Sequence, residues 1–212
     1  MSDILIKALK ETLIMVFAST IFSVILGFIP AILLTVTASD GLKPNKIIYN
    51  ILDFIVNTLR SFPFVILMVI LIPFTRLLVG KTIGTPAAIV SLTIAAAPFV
   101  ARVIESSLRE VDKGVIEAAK AFGASDSQII FKVMLKEAIP SIMSGITLTI
   151  ISIVGYSAMA GTMGAGGLGD VAIRYGYQRF ETGTMVATCI ILIIVVQVLQ
   201  ALGNYFYNRL SK

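Results

Sequence analysis

The chain contains no histidine and no tryptophan, and cysteine occurs once, at Cys189. No disulfide can therefore close within it, no His/Cys metal cage can be assembled, and no His-based acid–base pair is available. Charge is scarce as well. Asp, Glu, Lys and Arg make up 14% of the 212 residues, where a soluble domain carries roughly 25%. Hydrophobic residues reach 57%, and the mean hydropathy is +0.97. Such a chain cannot cover a water-facing surface of ordinary size, which excludes a soluble globular enzyme. Disordered and collagen-like chains are excluded too. The 17 Lys and Arg exceed the 12 Asp and Glu. In so apolar a chain that excess points to cytoplasmic loops of a membrane protein, not to nucleic acid.

What is abundant is uncharged length. Residues 12–39, 82–101, 138–169 and 182–208 are runs of 28, 20, 32 and 27 residues without a charge. Residues 54–75 form a fifth stretch of 22, interrupted once by Arg60. About 20 apolar residues cross the hydrocarbon of a bilayer as a helix. The sequence thus predicts an all-α membrane protein of five transmembrane helices, with spans at about 12–39, 54–75, 82–101, 138–163 and 182–208. One domain covers residues 1–212. The first run is far longer than a signal-peptide core of roughly 7–15 residues, so it counts as a span although Lys7 and Lys10 precede it.

Five spans place the termini on opposite sides. With the N-terminus outside, the inner segments hold ten basic residues: Lys43, Lys46, Arg102, Arg109, Lys113, Lys120, Lys132, Lys136, Arg209 and Lys212. The outer segments hold six: Lys7, Lys10, Arg76, Lys81, Arg174 and Arg179. The excess predicts an outer N-terminus and a cytoplasmic C-terminus.

The longest polar segment is then an inner loop at residues 102–137. Within it Val115, Ala118, Ala119 and Phe122 recur at i, i+3, i+4 and i+7, one face of a short helix, with Glu117 and Lys120 opposite. Gly123 follows as a residue able to end a helix in the left-handed conformation. Ser125 to Gln128 is a capping-box pattern that starts a second helix, and Pro140 marks the start of the fourth span. A two-turn helix is not stable alone in water. It must rest on the bilayer surface, on its own bundle or on a partner, and the small Ala118 and Ala119 favour a partner's groove over lipid.

Glu117-Ala118-Ala119, three residues and Gly123 resemble the EAA loop of bacterial ABC importer permeases. In that family the pattern continues to I-x-L-P, whereas here Val133-Met134-Leu135 is followed by Lys136 where proline is usual. Further strings are similar to the permeases of D-/L-methionine ABC importers. They are Arg60-Ser61-Phe62-Pro63-Phe64, Ile72-Pro73-Phe74-Thr75-Arg76, Ala96-Ala97-Pro98-Phe99-Val100-Ala101-Arg102, Gly155-Tyr156-Ser157-Ala158-Met159 and residues 164–169. The resemblance implies the type I ABC importer permease fold in a bacterial inner membrane. It makes Val115, Glu117, Ala118, Ala119, Phe122 and Gly123 the coupling helix that docks on a cytoplasmic ATPase. It also implies a homodimer, two ATPase subunits carrying ATP and Mg, and an extracytoplasmic, lipid-anchored or free substrate-binding protein. No catalytic residue, cofactor or metal is expected on this chain, and no nucleic-acid partner.

Two motifs invite over-reading. Residues 164–169 spell G-x-G-x-x-G, but a dinucleotide fingerprint needs a strand before it and a βαβ unit around it. Gly80-Lys81-Thr82 looks like the end of a Walker A loop, yet Thr75 stands where its first glycine should be. Within the spans, Arg60 either lines a path or snorkels back to the headgroups. Met159, among the small Gly155, Ser157, Ala158, Ala160 and Gly161, either packs against a neighbour or forms a deformable gate. Tyr156 and Ser157 are the neighbouring path candidates. Other small amino acids or betaine-like solutes remain alternative substrates. An ATP-independent carrier is the rival mechanism, although no Asp or Glu lies well inside a span.

Overall fold

The computed structural model describes residues 2–211; Met1 and Lys212, the latter among the basic residues counted above, lie outside them. The described residues form nine helices: α1 (Ser2–Thr37), α2 (Lys46–Ser61), α3 (Phe64–Ile70), α4 (Ile72–Val79), α5 (Thr85–Arg109), α6 (Lys113–Ala121), α7 (Asp126–Thr162), α8 (Gly167–Val171) and α9 (Thr182–Leu210). A π-helical turn, Ile129–Met134, lies inside α7, and another, Ala172–Tyr177, prolongs α8. Among the described residues, α1, α5, α7 and α9 are long and apolar enough to cross a membrane. The bent pair of α2 and α3 makes up to five.

The second expected span is the one that differs most. Residues 54–75 are not one helix: α2 and α3 meet at 104°. Pro63 has no N–H to donate and forces the preceding residue out of the helical region. Phe62 accordingly sits at φ −72°, ψ 129°. A second break falls at Leu71, just ahead of Pro73 in the first turn of α4. Pro140, by contrast, starts nothing. It lies within α7, which runs unbroken from Asp126.

The expected inner loop at 102–137 is also largely helical. Residues 102–109 complete α5, and residues 126–137 open α7. Only residues 110–125, with α6 among them, stand apart from the long helices. At the other end, α1 starts ten residues ahead of its charge-free run, with Asp3 in its first turn and a Lys7–Glu11 pair at 3.9 Å.

The bundle is organised around α1 and α5. They contribute Met15, Val16, Ala88, Leu92 and Ala96 to one core cluster and Ala31, Leu34, Val100, Ala101, Ile104 and Leu108 to the next. Small side chains set how closely they approach: a Cβ built on Gly27 would lie 2.6 Å from the Ala97 carbonyl oxygen. From α7, Ile153 and Val154 enter the first cluster and Ile129 and Met134 the second. α9 is the most exposed of the spans, presenting Ile190, Ile193, Ile194, Val198 and Leu202 outward.

Gly27→Leu is expected to force α1 from α5 and lower the unfolding temperature of the detergent-purified protein by several degrees. Gly155→Ala, where a Cβ meets nothing within 4 Å, should leave that temperature unchanged. Thermal scanning of both variants checks the pair.

Candidate functional site

The helix expected at 115–122 is α6, and each of its two ends is locked by one device. Asp112 is the N-cap: its Oδ1 accepts the Gly114 and Val115 amides at 2.8 and 3.3 Å. Such a cap contributes about 1 kcal/mol. At the C-terminus Gly123 adopts φ +80°. The Gly123 amide donates to the Lys120 carbonyl at 2.9 Å and the Ala124 amide to Ala119 at 3.0 Å. This is the paired-bond Schellman stop. Ser125 then forms the expected capping box with Gln128, both bonds being present, and α7 begins.

A short helix so terminated still needs a surface to rest on. α6 rests on its own bundle through Ile116 and Ala119, which pack against the second core cluster. Ala119 stands at the edge of the four-residue stripe: it is half-buried against the bundle, yet only about 40° of helix from the exposed Val115. Val115, Glu117 and Ala118 stay exposed, and Phe122 is 92% exposed. An aromatic ring held that far out of the bundle has no intramolecular use for its area.

The turn between α1 and α2 straddles α6. Asp40 Oδ2 lies 3.5 Å from Lys113 Nζ at the start of α6, and Lys43 Nζ lies 3.2 Å from Asp126 Oδ2 just beyond its end. Burial alone opposes ionisation of Asp40. Its own backbone N–H and the cations of Arg109 and Lys113 outweigh that and hold the carboxyl below the usual carboxylate range. A lowered folded-state pKa stabilises the folded chain above the unfolded value, and that contribution is lost as pH falls through the folded value. At neutral pH the Asp40 carboxylate is charged.

At the far end of α7 the glycine-rich run is closed by the chain itself. The Gly167 amide donates to Glu11 Oε2 at 2.8 Å and the Leu168 amide to Thr12 Oγ1 at 2.9 Å. These amides are thus already occupied by side chains of α1, and a helix, α7, leads into the loop where a dinucleotide fingerprint needs a strand. Gly80, the false Walker glycine, is the left-handed C-cap of α4.

The remaining candidates separate. Met159 is 48% exposed and shares an open stripe of α7 with Ser144, Leu148 and Gly155. Tyr156 is half-buried and stacks on Phe64 of α3, with ring centroids 5.0 Å apart. Ser157 does not reach the open stripe. It is buried, and its hydroxyl donates to the Val154 carbonyl of its own helix at 2.7 Å. Arg60, exposed at the end of α2, holds its guanidinium 5.7 Å from the ring centroid of Phe99 on α5. Sequence reasoning missed two participants, Asp112 and Asp40. The Asp-x-Gly-Val start of α6 was a legible cap; Asp40 carried no local signal, because its partners lie far along the chain.

The arrangement is an all-α membrane protein with the type I ABC importer permease fold. The chain belongs to the family of binding-protein-dependent transport system inner membrane components, whose model matches residues 23–212. It is 48% identical over 210 residues to the "Probable D-methionine transport system permease protein MetI" of Vibrio cholerae, covering 99% of this chain and 93% of that one. It is 48% identical over 181 residues to the "Methionine import system permease protein MetP" of Bacillus subtilis, covering 85% and 81%. A solved structure described as inward-facing conformations of the MetNI methionine ABC transporter superposes with a TM-score of 0.98 at 42% identity, covering 100% of this chain and 98% of that one. An amino acid ABC transporter solved with histidines shares the fold, with a TM-score of 0.81 at 21% identity.

Proposed function

We propose that this chain is the permease subunit of an ATP-driven importer for methionine. The observation that carries the reading is end-to-end similarity, at 42% identity and a TM-score of 0.98, to a solved methionine ABC transporter. Two copies enclose the path, since one bundle with a single open stripe on α7 cannot offer access from both sides. Residues 1–212 form one permease domain, with the N-terminus outside and the C-terminus cytoplasmic. The basic residues gathered at the α6 end favour that orientation.

Two cytoplasmic ATPase subunits bind ATP and Mg and receive the open face of α6. Val115, Ala118 and Phe122 supply the apolar contact, Glu117 stands at its edge, and Gly123 fixes where the helix stops. An extracytoplasmic binding protein delivers the solute to the opposite end. ATP drives the cycle only through its different affinity for the two states of the complex. No covalent step occurs on this chain.

Within the path, Met159 is the gate. Its unbranched thioether can fill and vacate the axis without a fixed shape. Tyr156, stacked on Phe64, keeps α7 in register with α3. Arg60, over Phe99, braces the bent α2–α3 pair against α5 beside the path.

Proteoliposomes containing this permease, its ATPase and its binding protein should accumulate radiolabelled methionine only with ATP inside the nucleotide-accessible compartment. Accumulation without ATP would make the chain a secondary carrier, and stimulation by a betaine-binding protein instead would change the substrate. With Cys189→Ser as background, Met159→Cys in both copies should give a disulfide whose yield changes between nucleotide-free and ATP-bound complexes. A cysteine pair that never forms the disulfide in either state would remove Met159 from the gate.

A further inference from the structure

Glu105 is a charged residue with 3% of its surface exposed, in the last two turns of α5. Its Oε2 accepts from Arg102 Nη1 at 2.6 Å. Its Oε1 accepts the Tyr49 hydroxyl at 3.5 Å and lies 3.7 Å from Arg109 Nη1. Both arginines carry the connection onward. Arg102 pairs through Nη2 with Asp53 and donates to Asn57 Oδ1 at 3.0 Å, and Asn57 Nδ2 returns to Asp53 at 3.0 Å. On the other side Arg109 Nη2 donates to Asp40 Oδ1 at 3.1 Å, and Asp40 meets Lys113.

The result is a continuous alternation of three cations and three carboxylates: Lys113, Asp40, Arg109, Glu105, Arg102, Asp53. It begins on the first residue of α6, crosses the end of α5 and finishes on α2. Two turns further along α2 comes the Phe62–Pro63 bend, beyond which Phe64 stacks on Tyr156 of α7.

Stability alone does not account for this construction. Desolvation offsets most of the attraction within a buried ion pair, and apolar side chains of the same size hold helices together at least as well. What paired charges add is resistance to partial displacement. That resistance centres on Glu105, the one member buried away from water: moving Arg102 or Arg109 leaves its carboxylate unpaired, so the two arginines, and the more exposed Asp53, Asp40 and Lys113 that they reach, keep their places relative to α5. Coupling between distant sites travels through elements with discrete arrangements of this kind.

We propose that this ladder, with Glu105 as its hub, carries displacement of α6 to α2 and so to the bent segment beside the path. Glu105 is a positioning residue for transport, and Asp40 and Asp53 are its two outlets. The inference rests on the reading of α6 as the ATPase-docking helix. Its test therefore begins with the wild-type complex.

The complex of permease, ATPase and binding protein is reconstituted in liposomes, and solute imported per ATP hydrolysed is measured for Glu105→Gln and Asp40→Asn. Both variants should retain the ATPase on purification and hydrolyse ATP at close to the wild-type rate. Imported solute per ATP should fall about tenfold, within the range of measured coupling between sites. Glu110→Gln, one residue beyond α5, bonded to Ser106 and Ser141 and outside the ladder, should keep the wild-type ratio. If Glu105→Gln does not fold, Asp40→Asn, in a half-exposed turn, decides alone. An unchanged ratio overturns the proposal, as does an equal loss in Glu110→Gln. A wild-type complex that neither recruits the ATPase nor imports solute fails the proposed function itself and takes the ladder with it.

Discussion

The close approach of α1 and α5 is the constraint on which the rest of the structure depends. Glycine and alanine along their contact bring the two backbones together where longer side chains would hold them apart. Hydrocarbon gives no hydrophobic drive between helices, so fit at such contacts does the work that water does for a soluble core. The pair reaches both ends of the molecule. At one end Glu11 and Thr12 of α1 close the glycine-rich loop after α7. At the other, Arg109 of α5 meets the Asp40 turn that follows α1.

From that spine the division of labour follows. α7 seals both core clusters with one side and leaves Leu148, Gly155 and Met159 open on another. α6 is too short to persist by itself, so it must be anchored and capped. Ile116 and Ala119 anchor it; Asp112 and Gly123 stop it. What remains outward is a small apolar face ending in a fully projecting phenylalanine. A left-handed residue other than glycine at position 123 would cost about 1–2 kcal/mol, comparable to the cap at the other end, so the helix's position is fixed by local chemistry at both termini.

The sequence made the long helices legible because length without charge has one common explanation in so apolar a chain. Their limits were less legible. Arg102, Glu105 and Arg109 end a charge-free run, but they extend α5 because each finds an oppositely charged partner that only the fold provides. Pro63 did carry a local signal, and reading residues 54–75 by hydropathy alone passed over it. The stop at Gly123 and the cap at Ser125 were legible as chemistry of neighbouring residues. The half-burial of Ala119 was not legible because a stripe at i, i+3, i+4 and i+7 is wider than one contact: its edge leans on the helix's own bundle, and the rest stays open. Ser157 went astray for a related reason. Small residues pack on several faces of α7, and their size alone does not say which face is open.

The most direct test replaces Phe122 with a photo-reactive phenylalanine analogue and illuminates the membrane-embedded complex. The same analogue at Phe17, an exposed residue of α1, serves as the comparison. The account predicts a permanent bond between position 122 and the ATPase subunit, and none from position 17. Equal labelling from both positions, or labelling of lipid alone from position 122, would contradict the claim that the open face of α6 receives the ATPase.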